Sequence, residues 1–126
     1  MVIVATLVVS LAAALHVGIF LMESVAWTRP AIWKRFGLHS QADAETTKPL
    51  AYNQGFYNLF LAIGAIVGVV FFGIGWQQAG LALVVFTMAS MIAAAVVLVS
   101  TGRRFIGAAL IQGTLPLIGL VLILLA

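Results

Sequence analysis

His16 and Glu23 are an imidazole and a carboxylate placed seven residues apart inside a long apolar run near the N-terminus. Seven residues are nearly two helical turns, so in an unbroken helix both lie on one face, which Trp27 continues four residues later. These are the residue types of general acid–base chemistry, and an ionisable group inside a membrane is costly enough to be a functional candidate by default. The next apolar run opens with amides and phenols: Gln54 and Asn58 share a helical face, and Asn53 and Tyr57 share the neighbouring one. Gln112 lies in the last run. On this reading His16 and Glu23 are the candidate catalytic pair for a proton transfer. Trp27, Asn53, Gln54, Tyr57, Asn58 and Gln112 are candidate ligand-binding residues. Bland roles compete with these. Glu23 is shallow enough to be anchored by Arg103 or Arg104, a neutral His16 needs only one hydrogen bond to a neighbouring helix, and Asn or Gln often joins transmembrane helices.

Depth favours a site. At a rise of 1.5 Å per residue, Glu23 lies roughly 6 Å and Asn53 and Gln54 roughly 5 Å from the same ends of their spans, with Tyr57, Asn58 and Gln112 at roughly 10 to 12 Å and His16 at roughly 16 Å. The opposite half, Val2 to Ser10, Leu61 to Gly75 and Pro116 to Ala126, holds scarcely any hydrogen-bonding side chain. Helix glue needs no such segregation, whereas a polar intramembrane pocket open to one side does. His16 and Glu23 are about 10 Å apart along the helix axis, so a bound molecule or water would have to bridge them.

Other chemistries find little support. The chain has no cysteine, and one deep histidine with one carboxylate falls short of a bundle metal site. No metal and no cofactor is expected. His39 sits among polar loop residues as a solvated side chain. Nucleotide-binding loops, nucleophile elbows and zinc-protease motifs are missing. A net charge of +3 is too small and scattered to indicate nucleic acid.

The elements that must position these residues follow from composition. Of 126 residues, 64% are hydrophobic and 7% charged, too little polar surface for a soluble domain of this size. Four stretches of about 20 residues match a hydrocarbon core of ~30 Å, at about residues 2–27, 50–75, 79–101 and 105–126. The expected fold is all-α: a polytopic membrane protein forming a single four-transmembrane-helix bundle over residues 1–126. The first run carries no basic n-region, continues past Phe20 and shows no convincing small-residue cleavage site, and is read as a helix of the mature protein rather than a signal peptide. All six Lys and Arg residues fall in two loops, Arg29, Lys34, Arg35 and Lys48 in the first and Arg103 and Arg104 in the third. The positive-inside rule then puts both loops in the cytoplasm and both termini outside.

Loop 28–49 predicts a short interfacial helix capped by Thr28, with Pro30 near its start and Gly37 closing it. Its Ile32, Trp33 and Phe36 would face lipid. Ser40 and Asp43 resemble a capping box for a second turn that must stop before Pro49. Gly102 is placed to cap the third span. Gly64 and Gly68 form a GxxxG pattern suited to close packing within the bundle or in a homodimer.

His16, Glu23 and Trp27, the loop ending Phe36-Gly37-Leu38, the stretch Asn53-Gln54-Gly55-Phe56-Tyr57-Asn58, and Gln112 together resemble the small bacterial membrane family catalogued as domain of unknown function 1304. The resemblance covers essentially the whole chain, and the Asn-Gln-Gly-x-Tyr-Asn stretch is its most specific part. It implies a four-helix protein of the bacterial inner (cytoplasmic) membrane and no established activity. Two functional classes follow from the residues. One is a protein that binds or acts on an amphipathic or lipid-like molecule from the cytoplasmic leaflet by proton transfer. The other is a proton-coupled exporter, similar in architecture to small multidrug-resistance proteins. A structural or assembly protein without a ligand is the third possibility.

Overall fold

The computed structural model describes residues 1–126 and is all-helical. Helix α1 runs Val2–Phe20 and passes into a wide turn over Leu21–Val25; α2 is the short helix Pro30–Trp33; α3 runs Gln41–Gly73, α4 Gln77–Ser100 and α5 Ile106–Leu125. Four segments are long and apolar enough to cross a membrane, Val2–Val25, Gln41–Gly73, Gln77–Ser100 and Arg103–Leu125, containing 18-residue stretches with mean hydropathies of 2.4, 2.1, 2.6 and 2.3. In lipid the backbone of each must satisfy its own hydrogen bonds, which a helix does.

Contacts group into two compact units, Met1–Leu15 with Leu61–Ala126, and His16–Phe60. In the first, Ala5, Val9, Ala12 and Ala13 of α1 meet Ala62 and Ala65 of α3, Val84, Met88 and Met91 of α4 and Ile123 of α5. Small side chains dominate because helix association in lipid relies on close backbone approach. The GxxxG glycines belong to this packing. A Cβ on Gly64 would come within 2.8 Å of the Thr87 methyl, and one on Gly68 within 3.0 Å of the Gly80 carbonyl, so α4 of the same chain fills that face. Gly75, at φ 96°, makes the turn between α3 and α4.

Several local expectations are corrected. The helix that begins at Gln41 does not stop before Pro49 but continues through it to Gly73. Pro49 removes one backbone bond and leaves the Glu45 carbonyl without its helical donor. Both residues are exposed, where water or headgroups can serve that carbonyl; Gln41 bonds the start of α3 to the Thr28 carbonyl, and Thr47, in the turn before Pro49, accepts from the Trp27 indole. At α2, Pro30 occupies the first turn and Gly37 closes the segment in the left-handed region at φ 78°, as the spacing predicts, but the N-cap is Arg29 rather than Thr28. Trp33 is buried and does not face lipid, because its indole N–H donates to Gln41 Oε1 at 2.9 Å. Ser40 does cap α3, its hydroxyl accepting from the Asp43 amide at 3.1 Å. Gly102 follows the last turn of α4 in an extended conformation and not as a left-handed cap.

Candidate functional site

Residues His16–Phe60 hold most of the candidates. The α-helical ladder of α1 ends at Phe20, and the Ala26 amide reaches back five residues to the Leu21 carbonyl at 2.9 Å. This single π-type turn widens the helix by one residue, a feature frequent at functional sites. It carries Glu23 and Ser24, and it interrupts the regular periodicity on which the shared His16–Glu23 face was argued.

The wide turn lies against α3 at Gly55. A Cβ there would collide with the Ser24 hydroxyl and come within 3.0 Å of the Ser24 amide nitrogen and 3.1 Å of the Glu23 Cβ. The contact is bracketed by two bonds between helices. On one side of Gly55 the Ser24 hydroxyl donates to the Tyr52 carbonyl at 2.7 Å. On the other the Asn58 amide donates to Glu23 Oε2 at 2.9 Å, and the same amide nitrogen lies 3.3 Å from the Gln54 carbonyl. The carboxylate therefore takes its hydrogen bond from a neutral amide rather than from a loop arginine. Phe56 backs the contact, edge-on to Phe20 at 5.1 Å and tilted against Tyr52 at 4.9 Å between centroids.

The remaining candidates divide. His16 is fully buried, at 1% exposure, and its interactions are made inside the protein, whereas Glu23 is half-buried. Asn53, Gln54 and Tyr57 are exposed along α3; Gln54 is one turn from Asn58, whereas Asn53 and Tyr57, two positions either side of Gly55, lie on the opposite side of the helix from the glycine that meets the wide turn. Trp27 donates its indole N–H to Thr47 Oγ1 at 3.1 Å and packs on Phe36 at 4.8 Å, bracing the bend after the wide turn. Gln112 is a half-buried residue of α5 in the other unit, one turn before Pro116, which has no N–H to donate to the Gln112 carbonyl.

Sequence reasoning missed Ser24, Gly55 and Gln41. The signal for Gly55 was an isolated glycine within a polar helical stretch, which usually has a packing reason. For Ser24 and Gln41 no local pattern marks the partner. Gln41 clips the loop with its amide, accepting from Trp33 and donating to the Thr28 carbonyl at 2.8 Å.

A family model described as protein of unknown function, DUF1304, matches residues 10–124. The chain belongs to the DUF1304 family. No curated protein and no solved structure matches it. The DUF1304 match takes in every candidate residue from His16 to Gln112, so the wide turn, Gly55 and the Glu23–Asn58 bond all lie within the family region.

Proposed function

We propose that this DUF1304 protein binds the polar head of an amphipathic or lipid-like molecule at Glu23, from the cytoplasmic leaflet of the bacterial inner membrane, with both termini outside the cytoplasm. The observation that carries the reading is the Glu23–Asn58 bond on a widened turn of a membrane-spanning helix. One oxygen, Oε2, is fixed by the amide, and Oε1 remains for the donor of a ligand. The exposed Gln54, one turn before Asn58 on α3, supplies a further hydrogen-bonding group, and Asn53 and Tyr57 are exposed farther round the same helix. Proton transfer by Glu23, with His16 as the deeper partner through a bridging group, is the chemistry these residue types allow. An exporter is less well supported, because Thr87 is the only polar side chain buried in the unit of Met1–Leu15 with Leu61–Ala126, and its hydroxyl is already bonded to the Leu83 carbonyl.

The test is a lipid and metabolite mass-spectrometric profile of detergent-purified wild type, Glu23→Gln and His16→Ala. Glu23→Gln keeps an acceptor for Asn58 and removes the carboxylate. A species retained by wild type and lost from Glu23→Gln at unchanged thermal stability is the expected result, and its loss from His16→Ala as well extends the site to the imidazole. Identical profiles with lower stability in both variants would reduce the cluster to helix-joining contacts.

A further inference from the structure

A second feature lies apart from these residues in the chain, on the seam of α4 and α5. A cleft of about 380 Å³ follows this seam. Its floor is made of small residues, Ala95, Ala109 and Gly113, where the helices come so close that a Cβ on Gly113 would lie 3.0 Å from that of Ala95. Its walls are exposed aliphatic side chains, including Val96 at 64% and Leu110 at 62% exposure. The cleft's one hydroxyl, Thr114, is already bonded to the Leu110 carbonyl, so the lining offers a ligand almost nothing but hydrocarbon. Along α5 the cleft extends from Ile106 to Leu117, roughly 16 Å at 1.5 Å per residue. That is about one leaflet, half of a hydrocarbon core of ~30 Å.

One end is charged. The cleft begins beside the turn Gly102–Phe105, where Arg103 and Arg104 are both exposed and the Arg104 guanidinium rests over the Phe105 ring at 4.7 Å. The hydroxyls of Ser100 and Thr101 at this end are bonded to their own helix, to Val97 and Leu98 carbonyls, which leaves the two guanidiniums as the side-chain groups at this end for a headgroup. Guanidinium forks match phosphate oxygens, and basic sites between transmembrane helices select anionic headgroups.

We infer that the α4–α5 cleft is a binding site for one anionic glycerophospholipid, with an acyl chain along Ala95, Ala109 and Gly113 and the phosphate on Arg103 and Arg104. The test is reconstitution of the full-length protein with spin-labelled phosphatidylglycerol or phosphatidylcholine, reading the immobilised lipid fraction. Wild type is expected to prefer phosphatidylglycerol by on the order of tenfold, as two juxtamembrane arginines allow, and to lose that preference at high salt. The double variant Arg103→Gln/Arg104→Gln should lose most of that preference, keeping only what the four cations of loop 28–49 supply. Val96→Trp, at an exposed wall position, should lower the immobilised fraction of both. Equal immobilisation of the two lipids by wild type, or an undiminished preference in the folded double variant, would overturn the site. Because four further cations lie outside the cleft, at Arg29, Lys34, Arg35 and Lys48, the wild-type preference does not by itself assign the headgroup to the cleft. If the double variant fails to fold, Arg103→Gln alone takes its place and should lower the preference; an unchanged preference in that variant would overturn the site as well.

Discussion

Gly55 is the residue on which the Glu23 site depends most directly, because the widened turn can approach α3 only where α3 has no Cβ. Gly55→Ala is expected to cost about 1 to 3 kcal/mol of stability, the usual range for an overpacked contact. Part of the penalty should disappear in a Ser24→Ala background, where the hydroxyl that the new methyl meets is gone. Thermal unfolding of the two single variants and the double variant in detergent measures this, and strictly additive losses would mean that Ser24 and Gly55 do not share the contact. The polar types Glu23 and Asn58 were legible in the sequence, as were their similar depths. Their bond to each other was not, since pairing across a residue separation of 35 is decided by how two helices cross.

At the scale of elements, the segment between α1 and α3 is fixed by side-chain bonds more than by helix propensity. Pro30 and Gly37 set the bounds of the short helical segment as their intrinsic backbone preferences dictate, and Ser40 starts α3 as an N-cap. Continuation of α3 through Pro49 went against the local rule: Gln41 ties the start of α3 to Thr28 and Trp33, and Thr47, in the turn before Pro49, accepts from Trp27. Gln41→Ala removes the acceptor of the buried Trp33 indole, a loss of about 1 to 3 kcal/mol for an unsatisfied buried donor. Hydrogen exchange across residues 28–40 should quicken and tryptophan emission should shift to the red. Unchanged protection in that segment would show that the clip is dispensable.

For the whole molecule, the positions of the six cations predict how the chain is threaded. The natural chain lacks cysteine, so single-cysteine variants give an uncluttered test: in intact cells a membrane-impermeant maleimide should label Gln77→Cys, in the first turn of α4, and leave His39→Cys unmodified. The reverse pattern would invert the topology and turn the Glu23 site to the other leaflet. Four apolar helices, the basic loops and the polar residue types were determined by the sequence itself, because length, hydropathy and charge are local properties that lipid reads directly. The tertiary structure decided that α1 ends in a widened turn, that Gly55 admits that turn, that Trp33 turns inward onto Gln41, and that α4 and α5 leave a cleft beside two arginines. Each depends on which surfaces of distant segments meet, and in a chain where small apolar residues line nearly every helix, hydrophobic periodicity does not single out those surfaces.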